Sequence, residues 1–336
     1  MAFQDYTLIQ APMAGGLSTA DVVAGASRAG ALGSVGAGYL SGDAIMAAAD
    51  GVRAAGGDAF AINLFIPAQR DATDAEWRAA LKALAPCYRQ GEVPLPDHFP
   101  KLPDFREQFD AMLEARPAVF SWTFGRLPRS MMAACRARGI TLVGTATSRD
   151  EALALAGDGV DGIVLQGEEA GGHRGGVDPQ GEGLPLAALL DACRDLATPL
   201  IAAGGLMDGA DLARVMAAGA AAGQLGTAFL RCPEAGTAEG WRQALADAGP
   251  DATAVTRAVS GRWARGIANA WMDGRAPTEV APYPDQHRLT SPLRKAAGVE
   301  WKSLWAGTGA HRGRALPVAE LVQVIEDERR AASRSG

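Results

Sequence analysis

The sequence predicts an α/β fold, a (β/α)8 barrel of the TIM type, on three observations. Eight short apolar runs recur along 336 residues, helical patterns separate them, and many of the 42 glycines stand just after the runs rather than in linkers. Runs that are mostly apolar throughout, rather than alternating, suit parallel strands covered on both faces. Strand–helix alternation gives a parallel sheet, right-handed crossovers reduce it to a barrel or a doubly wound sheet, and eight units favour the barrel. The length accommodates one barrel of roughly 250 residues together with an insertion and an extension.

The runs cover 8–11, 31–35, 59–63, 118–122, 140–143, 162–166, 199–203 and 222–225. A helix is predicted over 19–29, entered through Ser18 and Thr19 and stopped at Gly30. Another is predicted over 148–156, where Ser148 and Glu151 have capping-box spacing. A third runs over 208–218, from an acidic start at Asp208 to Gly219. Residues 67–116 form a long insertion after the third strand, carrying Pro94, Pro96, Pro100 and Pro103; a loop followed by a helix over 104–115 is expected. The barrel is assigned to 1–238, a mostly helical extension over its mouth to 239–328, and a flexible polar tail to 329–336.

A net charge of −6 with dispersed basic residues argues against nucleic acid or anionic membrane as a partner. Cys87, Cys135, Cys193 and Cys232 form no C-x-x-C pair and have no histidine at metal-ligand spacing, which points to reduced thiols and no metal. No basic-then-apolar leader opens the sequence, and the uncharged stretch that matters most is too short to span a bilayer, so a cytoplasmic monomer or homodimer is expected.

Barrel active sites lie at the C-terminal ends of the strands. After the seventh and eighth runs come Gly204, Gly205, Gly226 and Thr227, where bare amides at a loop or helix start can hold a phosphate. The same residues would also serve as simple tight turns, or grip a substrate's phosphate. Asn63 and Gln166 close two runs; a carboxamide offers both a donor and an acceptor, as the mixed edge of a heterocycle requires. His173 stands between glycine pairs just past the sixth run, poorly placed for core packing and well placed to act as acid or base near neutrality. Glu168 and Glu169 beside Arg174 suggest a structural ion pair, whereas His98, His287 and His311 are expected at the surface. The late aromatics Trp263, Trp271, Tyr283, Trp301 and Trp305 are expected to pack the extension on the barrel, with one or two walling a pocket.

Several blocks resemble the nitronate monooxygenases, also called 2-nitropropane dioxygenases, in their bacterial class I branch. They are Ala11-Pro12-Met13-Ala14-Gly15-Gly16, Asn63-Leu64-Phe65, Ser121-Trp122-Thr123-Phe124-Gly125 and the most specific, Gln166-Gly167-Glu168-Glu169-Ala170-Gly171-Gly172-His173-Arg174-Gly175. Ala203-Gly204-Gly205-Leu206, Gln224-Leu225-Gly226-Thr227, the block from Ser260 to Ile267 and that from Ser303 to Gly307 complete the resemblance. It implies FMN held by Pro12, Met13, Ala14, Asn63, Gln166, Gly171, Gly172, Gly204, Gly205, Gln224, Leu225, Gly226 and Thr227, with His173 catalytic and Thr123 and Tyr283 near the substrate. The implied reaction is oxidation of alkyl nitronates, and of nitroalkanes, by O2 to a carbonyl compound and nitrite through a flavin semiquinone. In it His173 takes the α-proton of a nitroalkane or, protonated, stabilises a nitronate. Thr123 stands where the family pattern leads one to expect histidine, and Thr308 where it leads one to expect glutamine. An NAD(P)H-dependent FMN enoyl-thioester or quinone reductase on the same barrel is the alternative, followed by a flavin-binding protein without turnover and a flavin-free barrel for a sugar phosphate.

Overall fold

The computed structural model describes residues 5–67 and 70–335; residues 1–4 of the expected barrel region, 68 and 69 of the expected insertion and 336 of the expected tail lie outside them. Strand and helix alternate as β1 (Leu8–Gln10), α1 (Ala20–Arg28), β2 (Gly33–Gly36), α2 (Gly42–Ala54) and β3 (Phe60–Phe65). After α3 (Asp74–Gln90) and α4 (Phe105–Ala115) come β4 (Val119–Thr123), α5 (Arg129–Arg136), β5 (Thr141–Ala146), α6 (Arg149–Asp158) and β6 (Gly162–Gln166). A two-residue strand β7 (Gly172–His173) precedes α7 (Leu186–Cys193), β8 (Leu200–Ala203), α8 (Gly209–Ala217) and β9 (Ala222–Leu225). Then follow α9 (Glu239–Ala246), β10 (Thr253–Thr256), β11 (Ala264–Ile267), α10 (Asp285–Ala296) and α11 (Val318–Ser335).

All eight predicted runs become strands of one parallel sheet in the order β1-β9-β8-β6-β5-β4-β3-β2. The sheet closes because Leu32 donates its amide to Leu8 O at 3.0 Å and Gln10 donates its own to Leu32 O at 2.9 Å. Side chains of alternate residues then divide between two layers. Ile9, Leu32, Ala61, Val119, Val143, Val164, Ile201 and Ala222 fill the barrel's interior. Ile62, Phe120, Leu142, Ile163, Ala202 and Leu225 pack outward beneath the helices.

The predicted caps hold where a short polar side chain meets free amides. Thr19, Ser148 and Asp208 accept from the amides of Val22, Glu151 and Asp211. The box at Ser148 is only half formed. Glu151 turns instead to the amides of Thr147, at 2.7 Å, and Val177, at 2.6 Å, which ties the loop after β7 to the start of α6.

Three expectations need correction. The insertion contains a 17-residue helix, α3, besides the expected α4. Thr73 and Glu76 form a full capping box for it, and Pro86 lies inside it without ending it. The extension is not mostly helical: β10 and β11 form an antiparallel hairpin, and β11 pairs with β7, Ala264 opposite His173 and Arg265 opposite Gly172. The polar end is not a tail: residues 329–335 continue α11, which packs against α8 and α1 as the barrel's eighth helix. The barrel is therefore incomplete at residue 238. Polar composition misled the reading because one face of α11, with Val318, Leu321, Val322 and Ile325, is fully buried.

Candidate active site

A cavity opens at the C-terminal end of the barrel and contains about 1200 Å³ of space, its mouth included. Every strand end contributes, as closure of the sheet requires. Pro12, Met13, Ala14, Asn63, Thr123, Gln166, Gly171, Gly172, His173, Gly204, Gly205, Gln224, Gly226 and Thr227 all line it. Leu225 does not: strand alternation turns Gln224 to the cavity and Leu225 into the outer core at 1% exposure. Tyr283 is not in the lining either; it backs His173, with ring centroids 5.8 Å apart.

One end of the cavity is rich in backbone donors. Gly204 and Gly205 follow β8 with φ of +124° and +70°, conformations that residues with a side chain rarely adopt, so the backbone is bare at this turn. Thr227 begins a short 3-10 turn, Thr227–Phe229, whose first amides have no partner within the turn. Its hydroxyl accepts the Gly307 amide at 2.9 Å, which fastens the extension to this end. Ser18 Oγ accepts the Met13 amide at 2.9 Å and the Gln10 side-chain amide at 3.0 Å, fixing the loop after β1.

Asn63 donates to Ser121 Oγ at 2.9 Å, and Gln166 spans its own loop, donating to His173 O at 3.1 Å and accepting from Gly175 N at 2.7 Å. Gln166 thus holds the His173 loop as well as facing the cavity. Thr123 Oγ1, by contrast, is buried without a partner in the protein. Thr123 lines the cavity, and its orphan hydroxyl is the kind of group whose bonding a ligand or an ordered water completes.

His173 is placed by contacts of three kinds. β11 holds its backbone. Phe124, Tyr283 and Trp305 surround its ring at centroid distances of 5.8, 5.8 and 5.7 Å. Phe124 itself has φ of +75°, uncommon for a bulky residue, and is held by a 2.7 Å bond from its amide to Gly175 O and by the Arg262 guanidinium 4.2 Å above its ring. His173 Nε2 hydrogen-bonds Ser260 Oγ at 2.8 Å. Burial, then Arg262, then Arg294, pushes the imidazole down to about 3. The resting side chain is therefore neutral near pH 7, and the protonated form expected for nitronate binding is not its resting form.

Other residues came to the site unannounced. Tyr39, in the loop after β2, lines the cavity, and burial pushes its phenol up to about 12, so it remains a donor. A tyrosine four residues past the second run, after Gly36 and Gly38, was the available signal. His287 is not a surface residue: it stacks on Tyr39 at 4.3 Å and meets Arg294 through Nδ1 at 3.2 Å. Ser260, Arg262 and Arg294 belong to the extension expected over the mouth, and the first two to a block that carries the resemblance, but their approach to His173 was not among the expectations.

Among the described residues no ion pair joins Glu168 or Glu169 to Arg174. Glu169 instead accepts from Leu186 N at the start of α7, and Arg174 donates to Gly181 O at 3.0 Å and lies over Trp263. Thr308 stands outside the cavity, its amide on Glu169 O at 3.0 Å. The four cysteines are free and buried, and burial pushes the Cys232 thiol up to about 12. His98 and His311 are exposed, as expected.

The profile of nitronate monooxygenases matches residues 2–328. The chain belongs to the nitronate monooxygenase family. It is accordingly an oxidoreductase, and the barrel predicted from its sequence is the fold observed. It is 39% identical to the nitronate monooxygenase of Paraburkholderia phytofirmans over 96% of this chain and 92% of that one. A probable nitronate monooxygenase of Staphylococcus aureus is 34% identical over 96% and 93%. Among solved structures, the nitroalkane oxidase of Streptomyces ansochromogenes superposes with a TM-score of 0.92 at 36% identity, covering 98% of this chain and 97% of that one. FabK from Thermotoga maritima superposes with a TM-score of 0.75 at 21% identity, covering 98% and 94%, a likeness of fold. No described helix is long and apolar enough to cross a membrane.

Proposed function

We propose that the chain is an FMN-dependent nitronate monooxygenase that oxidises small alkyl nitronates with O2 to a carbonyl compound and nitrite. The observation that carries this reading is a single cavity with a donor-rich glycine end and His173 at its wall, in a chain matching the family over almost its whole length. The residues present fit the cofactor. Gly204, Gly205, Gly226 and Thr227 would hold the phosphate, while Asn63, Gln166 and Gln224 would face the ring's polar edge, with Met13 and Ala14 beside it. Bound there, FMN supplies the one-electron chemistry that connects substrate with oxygen.

The chain's own residues bind and orient the substrate. His173 offers one ring nitrogen to it, while Tyr39 and the unpartnered Thr123 hydroxyl supply further donors. Phe65, Phe124 and Trp305 make the wall apolar, which restricts water and strengthens each hydrogen bond. The same reading includes nitronate and O2 as the small-molecule partners and a cytoplasmic location.

The test is the visible spectrum of the purified protein without oxygen. A yellow protein whose spectrum changes on adding an alkyl nitronate, and not on adding NADPH, bears the proposal out. Bleaching by NADPH alone would make the chain a reductase on the same barrel, and a colourless protein unable to take up FMN would remove the flavin reading.

A further inference from the structure

Thr145, near the end of β5, borders two spaces: the cavity described above and a second, smaller pocket on the barrel's flank. The pocket contains about 490 Å³ of space, its mouth included. Gly125 after β4, Ala154 and Leu155 of α6, and Val177 in the loop after β7 enclose it. Arg126 and Asp150, both exposed, mark its outer end, and Thr145, 7% exposed, its inner one.

Little separates the two spaces. A Cβ added at Gly175 would lie 2.9 Å from Thr145 Cγ2 and 3.3 Å from Thr123 Cγ2, both on residues of the cavity lining. One added at the next residue, Gly176, would lie 2.8 Å from Oε1 of Glu151, which lines the pocket. The bare Gly175–Gly176 backbone therefore runs along the boundary, and Thr145 is the side chain common to both linings. A threonine moves between a few χ1 rotamers, and one such turn shifts its methyl and hydroxyl together.

The chemistry of the pocket restricts what enters it. Glu151 accepts from the amides of Thr147 at 2.7 Å and Val177 at 2.6 Å and from the Thr147 hydroxyl at 2.9 Å. Arg126 donates through Nε to Asp158 at 2.6 Å. Its guanidinium is thus already paired and does not offer a free cation to an anionic substrate. The walls at Gly125, Ala154, Leu155 and Val177 are apolar, and an apolar cavity takes up an apolar gas, whereas an ordered water needs two or more polar partners.

We propose that this flank pocket is the entry route for O2, with Thr145 as its inner gate. The inference rests on the function proposed above and deepens it. The organic substrate enters at the mouth beneath the extension and occupies the cavity beside His173. O2 reaches the same cavity from the flank while the mouth is filled.

The experiment uses the FMN-loaded protein and begins with xenon, an apolar gas that X-rays detect. Crystals under xenon pressure should show xenon in the flank pocket; ordered water alone there overturns the inference. Ala154→Phe and Val177→Phe together fill the pocket from two walls, and neither residue lines the cavity. The double variant should lower kcat/KM for O2 by roughly fivefold or more, and slow equally the return of colour when O2 is added to dithionite-bleached protein. Its anaerobic reaction with ethyl nitronate should stay within about twofold of wild type. Unchanged colour return overturns the route. So does equal slowing of the anaerobic reaction, which would mean that the substitutions deform the site instead. If the double variant does not fold, the two single variants decide by the same criteria. If no nitronate is turned over, the proposed function fails and colour return with O2 still reads the route. If the protein takes up no flavin, that function fails too, and the xenon result decides whether a gas enters.

Discussion

At the scale of single residues, the site depends on what stands behind the lining rather than in it. His173 is held neutral by burial and by Arg262 and Arg294, which gives the fold a dependence on pH. The unfolded chain's imidazole takes up a proton below about pH 6.5, whereas the folded one resists until about 3. Proton uptake therefore favours unfolding in that window, and stability present above pH 6.5 is lost as pH falls through it. Thermal unfolding followed from pH 8 to pH 4 should show Tm falling, and His173→Asn should flatten the slope. His287, also held well below its usual range by burial, leaves a residual dependence. A slope unchanged by the substitution would mean that His173 is not shielded as described.

At the scale of elements, the decisive contact is between the His173 loop and the extension. A Cβ added at Gly171 would lie 2.6 Å from Ala306 C and Gly307 N, both backbone, and one at Gly307 would lie 2.6 Å from Glu169 O. Neither neighbour is the end of a flexible side chain that can swing away. Gly171→Ala should cost about 1–3 kcal/mol and, on the proposed function, loosen retention of FMN, read from urea unfolding and from flavin lost on gel filtration. Gly172→Ala makes the comparison: nothing lies within 4 Å of its Cβ, and only its φ of +75° is strained. Equal losses from both would show that backbone conformation, not the close approach, governs the contact.

At the scale of the whole molecule, the end of the chain completes its beginning. α11 lies between α8 and α1, and Gly209 at the start of α8 admits its backbone so closely that a Cβ would collide with Ile325 O and Arg329 N. Burial of Val318, Leu321, Val322 and Ile325 contributes about 1.5–3 kcal/mol per side chain, a sum comparable with the stability of an entire domain. A chain ending at residue 316 should not yield a soluble, cooperatively unfolding protein, whereas one ending at 331 should. Circular dichroism melts of the two truncations check this; cooperative melting of the shorter would return α11 to the status of an appendage.

Local chemistry explains which parts could be read beforehand. A strand covered on both faces must be apolar throughout, a glycine turn must follow it, and a cap must offer an oxygen to free amides; each leaves its signature within a few residues, so the eight strands and the predicted helices came directly from the sequence. The glycine end and His173 were legible for the same reason, as side chains and turns at strand ends. Whether Leu225 faced the cavity depended on the phase of one strand. That α11 closed the barrel depended on a groove formed by α8 and α1. That Ser260 and Arg294 stood near a histidine roughly 90 and 120 residues earlier in the chain depended on the extension folding back across the mouth, and β11 pairing with β7 is a bond no local pattern specifies. The sequence by itself determined the scaffold and where on it chemistry could occur. Only the tertiary structure decided the protonation state of the residue at its centre, because that state is set by charge and burial contributed from distant parts of the chain.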